Sequence, residues 1–152
     1  NKVTFQAKKK KNNGDPDDAL QNHLMLPIFS KSLIKALNNK NIKGIQYLPV
    51  RILRPNNEML DGFALANLTN FISAFDYERS EYNRFRDDFP NPNVRGKIAG
   101  VKKFVLAKNK ISQMDIIRLK DYKQRFFVSE KVKMLFESNN FTGYSFVEVE
   151  LA

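Results

Sequence analysis

The sequence predicts an α+β domain: a largely antiparallel mixed sheet with two equivalent helix–strand units, about residues 29–52 and 128–151, and short helices on one face. Three observations carry that expectation. Residues 29–50 align without a gap on residues 128–149 at a constant offset of 99, placing Ser30 on Ser129, Asn41 on Asn140, Gly44 on Gly143 and Val50 on Val149. Within each copy an apolar stripe at helical spacing gives way to strict alternation after a glycine. Between the copies lie short apolar runs broken by Pro, Asn and Gly, the punctuation of antiparallel strands.

The elements follow in order. Val3 to Ala7 alternates weakly, as a short first strand would. Residues 8–21, with a lysine run, Asn12-Asn13-Gly14 and Asp15-Pro16-Asp17-Asp18, read as loop or disordered chain. Residues 1–22 are therefore expected to form a flexible basic leader and residues 23–152 a single domain. Ser30 is a natural N-cap, because its hydroxyl can accept from N–H groups of the first helical turn. Leu33, Ile34 and Leu37 form the stripe, and Asn38, Asn39 and Gly44 stop the helix. A strand then runs from Ile45 to Leu53, with Leu48, Val50 and Ile52 on the face expected to meet the core.

The second copy repeats each step. Ser129 is the cap, Glu130 suits the positive helix end, Val132, Leu135 and Phe136 make the stripe, and Gly143 ends the turn. A final strand is expected over 144–151, with Val147, Val149 and Leu151 facing inward. Between the copies, residues 63–75 suggest one or two buried strands broken at Thr69-Asn70. Residues 77–86 suggest a helical turn or structured loop capped by Asp76, and residues 87–96 a loop. Further strands are expected at 101–107 and 116–119, after which Asp121-Tyr122-Lys123 turns into Phe126-Phe127-Val128.

Composition narrows the chemistry. No run approaches the ~20 apolar residues of a membrane helix; we expect no membrane partner and a cytoplasmic location. There is no cysteine, so disulfides, thiol nucleophiles and Cys-ligated zinc are excluded. His23 is the single histidine and reads as a surface or partly buried residue. Neither a phosphate-binding glycine loop nor an Asp-rich calcium loop occurs, so no cofactor and no metal are expected. The candidate carboxylate pairs, Asp76 with Glu78 and Asp87 with Asp88, are unremarkable among 16 acidic residues, and no catalytic residue is assigned. Lys2, Lys8, Lys9, Lys10 and Lys11 supply five of the 26 basic residues; without them 21 basic residues face 16 acidic ones, a net of +5 against +10 overall.

Two stretches suit binding. Residues 77–86 hold three aromatics and three arginines, side chains enriched at interface hot spots, with Tyr77, Arg79, Tyr82, Arg84 and Arg86 the candidates. The competing reading is a surface helix whose aromatics face the core. Arg95, Lys97, Lys102, Lys103, Lys108 and Lys110 form a basic run with no acid between Phe89 and Met114. On a hairpin it would hold phosphates or an acidic protein, with Lys102 and Lys103 central; the alternative is an edge guarded by lysines. Ser30, Gly44, Asp76, Ser129 and Gly143 are expected to be structural.

The C-terminal motifs Ile116-Ile117-Arg118-Leu119, Phe127-Val128-Ser129-Glu130-Lys131 and Thr142-Gly143-Tyr144-Ser145-Phe146-Val147-Glu148-Val149 resemble those of a known family. So do Ser30 to Leu33, Leu48-Pro49-Val50 and Asp76 to Ser80 upstream. The chain resembles, over about residues 24–151, the immunity proteins of bacterial polymorphic toxin systems, a myxobacterial-type immunity domain formerly a domain of unknown function. It departs in its lysine-rich leader and in Ile117, where the family often has Phe. The resemblance implies a non-enzymatic protein that binds and neutralises a cognate secreted toxin by occlusion. The alternative partner is nucleic acid, held by the leader and the basic face at 95–110.

Overall fold

A computed structural model describes the backbone of residues 3–6 together with residues 16–22 and 24–152; His23, Lys2 and the lysine run 8–11 lie outside the described residues. The first unit begins earlier than the repeat in the sequence suggests. After β1 (Val3–Gln6), β2 (Ala19–Leu20) and β3 (Ile28–Ser30) form an antiparallel hairpin in which Ala19 opposes Phe29. Ala19 is buried, so part of the expected leader belongs to the core. The Asp18 carboxylate accepts from the Ser30 hydroxyl at 2.7 Å, while the Ser30 oxygen accepts from the Leu33 N–H at 3.2 Å and starts α1 (Lys31–Asn39). Asn41 takes a positive φ, Ile42 N–H returns to the Leu37 carbonyl, and Gly44 turns the chain into β4 (Ile45–Leu53).

The middle of the chain supplies the strands that surround this unit. β5 (Met59–Leu68) lies antiparallel between β4 and β3, and a break at Thr69-Asn70 leads into β6 (Phe71–Ile72). β7 (Glu81–Arg84) and β8 (Ile98–Lys103) form a hairpin of their own, joined by a loop with a 3-10 turn at Pro92–Val94. β9 (Val105–Leu106) and a short helix α2 (Lys108–Ile111), which the sequence pattern does not suggest, complete the connection.

The second unit then repeats the first. β10 (Ile116–Leu119) and β11 (Phe126–Val128) pair with Ile116 opposite Val128, the Ala19–Phe29 register shifted along the chain. The Ser129 hydroxyl donates to Asp115 at 2.8 Å, and its N–H to the Asp115 carbonyl at 2.9 Å, as Ser30 does toward Asp18. Ser129 precedes α3 (Glu130–Ser138) in cap geometry, but its side chain accepts no helical N–H; the expected capping bond is replaced by the carbonyl of Ser129, which receives Val132 N–H and Lys133 N–H. Asn140 repeats the positive φ of Asn41, at 54° against 56°, and Gly143 that of Gly44.

The units clasp each other. Leu33 and Leu37 of α1 meet Val132, Leu135 and Phe136 of α3 in the principal core, which also buries Ala66, Leu68 and Ile116. A Cβ at Gly143 would run into the Ala19 carbonyl, and one at Gly44 into the Asn70 side chain, which itself donates to the Ile116 carbonyl at 3.1 Å. Each glycine turn is thus fitted to the hairpin region of the other unit.

The C-terminal strand departs from expectation. The strand predicted over 144–151 pairs only at its end, as β12 (Glu150–Leu151) parallel to β9, the counterpart of β1 beside β4. Residues 144–149 form no ladder among the described residues. The faces differ from expectation too: Ile45, Tyr47, Tyr144 and Phe146 pack on the principal core, whereas Val147 is 81% exposed. Val50 and Ile52 join Ile28 in a separate cluster on the other side of the first sheet.

Candidate functional site

Residues 77–86 divide into a turn and a strand. The Asp76 carboxylate accepts from the N–H groups of Glu78 and Arg79, both at 3.0 Å, which closes the turn in the manner of a cap. Ser80 is buried and its hydroxyl donates to the Val105 carbonyl and accepts from Val105 N–H, fastening the turn to β9. The chain then extends as β7 rather than continuing as a helix, because β7 pairs along β8 with Tyr82 opposite Val101.

This path brings Tyr77, from the turn, against Tyr82, from the strand, with ring centroids 5.6 Å apart and edge to face. Buried Phe75 supports both, at 5.0 and 5.4 Å. The Arg84 guanidinium lies 5.3 and 5.2 Å from the two tyrosine rings, within cation–π range, and is held there by the Gly96 carbonyl at 2.7 Å. Burial, followed by the carboxylate of Asp121 bonded to its hydroxyl, pushes the Tyr77 phenol above its ordinary range. Tyr77 nevertheless stays 41% exposed. The result is a fixed aromatic–cationic surface whose conformational cost is met before any partner arrives.

The other predicted positions are less concentrated. Arg79 is exposed on the turn. Arg86 chelates Asp88 through two bonds of 2.9 and 3.0 Å. Lys102 pairs with Glu81 at 3.1 Å, and Lys103 with Glu150 at 2.7 Å. The basic run therefore meets carboxylates delivered by β7 and β12, which no local reading of residues 95–110 reveals. Arg95 is turned to the Phe89 carbonyl at 2.7 Å, and Lys108 and Lys110 lie on α2. Phe75 and Asp121 were missed as parts of the site: Phe75 lies just outside the aromatic–arginine run, and Asp121, which follows β10, is remote from Tyr77 in sequence.

One residue of the C-terminal motifs proves internal. Arg118 of β10 is buried, donates to the Met25 carbonyl at 3.1 Å, and is lowered from its ordinary pKa by desolvation. Its charge partly offsets the burial that pushes nearby Tyr144 up to about 12.

Among the described residues no helix is long and apolar enough to cross a membrane. No curated protein matches the chain. The sequence model of the immunity protein family Imm11 matches residues 1–151. With nearly the whole chain covered, the protein belongs to the immunity protein family Imm11.

Proposed function

We propose that the protein neutralises a cognate bacterial toxin in the cytoplasm of the producing cell by binding it, without catalysis. Membership of an immunity family over residues 1–151 is the observation that carries this reading. The surface suited to contact is the cluster of Tyr77, Tyr82 and Arg84, with Arg79, Arg86, Lys102 and Lys103 as further candidate contacts. Its rings are braced by Phe75 and its guanidinium is held by a backbone carbonyl, so little rotamer freedom is lost on contact.

The test is co-expression with the toxin domain encoded beside it. The wild-type chain is expected to restore growth and to co-purify with the toxin. Arg84→Ala and Tyr77→Ala are expected to weaken capture by roughly 10- to 100-fold, the range of an interface hot spot. Co-purification with nucleic acid in place of any protein, with affinity falling steeply with salt, would overturn the reading.

A further inference from the structure

The two units agree in hairpin, helix, turn and parallel end-pairing, yet the first contains a strand that the second lacks. In the first, β5 is inserted between β3 and β4 and bonds to both. In the second, β11 ends its sheet, whose order is β11-β10-β6, and residues 144–149 have no ladder partner among the described residues. Burial records the same difference: Pro27, Ile28 and Phe29 are buried, while their counterparts Phe126, Phe127 and Val128 are half-buried.

We propose that the β11 edge and residues 144–149 together form a strand seat, filled in the complex by an extended segment of the partner toxin lying antiparallel to both. The identity of the partner rests on the immunity reading above; the seat itself rests on the internal repeat. Among the described residues the two edges present unpaired backbone groups, the recognition surface used in β-augmentation.

The first unit specifies what fits. Ala66 N–H donates to the Pro27 carbonyl, and Ser30 N–H turns away to Asp18, so Pro27 and Phe29 present their backbone groups to β5. By the same phase, Phe126 and Val128 present theirs to the seat, since Ser129 N–H turns away to Asp115. On the opposite edge Pro49 stands within β4 opposite Ala64, where a residue without an N–H is accepted; alternation then aims the N–H of Leu48 at β5. The counterpart of Pro49 is Glu148, and that of Leu48 is Val147. Between the edges, the rings of Phe126 and Tyr144 approach to 5.4 Å on the core side, where Ala66 and Leu68 point in the first unit. The seat therefore takes about six residues, small at the inward positions, as Ala64 and Ala66 are in β5.

A peptide carrying the β5 sequence, residues 59–68 with a solubilising tail, is a probe that needs no toxin. It is expected to slow amide hydrogen exchange at Val128, Ser145 and Val147. Val147→Pro is expected to weaken its binding at least tenfold, and Glu148→Pro, which reproduces Pro49, to leave it within about twofold. No protection by the peptide, or equal binding by Val147→Pro, overturns the seat. With the toxin itself, capture lost in Val147→Pro and kept in Glu148→Pro supports the seat. Capture unchanged in Val147→Pro but lost in Arg84→Ala overturns it and leaves the immunity reading standing. Toxin that never binds the wild type overturns that reading and the toxin as occupant, while the peptide result still decides whether the seat exists. Concentration-dependent self-association abolished by Val147→Pro would show a second copy in the seat, and would overturn the toxin as its occupant.

Discussion

The segments that follow the two equivalent helices start alike and end differently. Both leave the helix through an Asn at positive φ and a Gly, and both finish beside a short parallel strand. In the first, the intervening residues form β4, an interior strand of a five-stranded sheet; in the second, residues 144–149 pair with nothing among the described residues. The alternation of Ser145-Phe146-Val147-Glu148-Val149 is as strand-like as that of Gln46-Tyr47-Leu48-Pro49-Val50. Alternation therefore records readiness to pair, whereas a ladder also needs a neighbour. The first unit has β5 at hand, and the second does not.

Substitutions at matched positions probe how deep the equivalence runs. The largest effect is expected in the shared core, where Phe136→Ala should cost about 3–5 kcal/mol and its counterpart Leu37→Ala about 2–5 kcal/mol, both being buried. Chemical denaturation measures both, and a loss below about 1 kcal/mol at either position would break the picture of two helices sharing one core. The glycine turns should separate the units. Gly143→Ala meets the Ala19 backbone and is expected to destabilise by about 2–4 kcal/mol, whereas Gly44→Ala meets a movable Asn70 side chain and should cost about 1–3 kcal/mol. Equal losses would mean that the first turn is as rigidly enclosed as the second.

The caps offer a finer contrast. Ser30→Ala removes both a bond to Asp18 and the Leu33 cap, an expected loss of about 1–2 kcal/mol. Ser129→Ala removes the Asp115 bond alone, and about 0.5–1.5 kcal/mol is expected. The smallest effect is at Tyr47, whose buried hydroxyl has no partner among the described residues: Tyr47→Phe should be neutral or stabilise by up to about 1 kcal/mol.

Alkaline titration compares the tyrosines. Burial raises Tyr47 and Tyr144 from 10.0 to about 12. Their folded-state pKa values lie above the unfolded one, so their contribution is complete below pH 10 and is lost as pH rises from about 10 to 12. The denaturation midpoint should fall across that window, and a tyrosinate absorbance that rises fully by pH 10.5 would contradict it.

How much of this was legible in the sequence varied by distance along the chain. The helix stripes, the glycine turns and the α+β class were visible because each depends on neighbours within a few residues. The hairpins that open the units were not recognised as part of the repeat. Asp18 and Asp115 are separated by 97 positions rather than 99, because the second hairpin is two residues longer and a gapless comparison loses them. The leader was drawn too long for a related reason: Ala19 has little local signal, and its burial comes from Thr142 and Phe29. At the candidate site, the aromatic–arginine run draws attention to Tyr77, Tyr82 and Arg84, whose side chains the fold brings together. It could not show that Arg86 would be engaged by Asp88, or that Lys103 would meet Glu150 from the far end of the chain.

The bonds between Asp18 and Thr142 also have a consequence in time. Each residue's backbone N–H is bonded to the other's side chain, across 124 positions of sequence. At roughly 5–20 residues per second, a ribosome needs about 6–25 s to travel from one to the other. For that interval the Ala19 side of the first unit has nothing to close over it, and α1 waits for α3. Long-range closure of this kind also slows folding after synthesis. On the proposed function, a chain competent to bind its partner therefore appears only after Thr142 has been made.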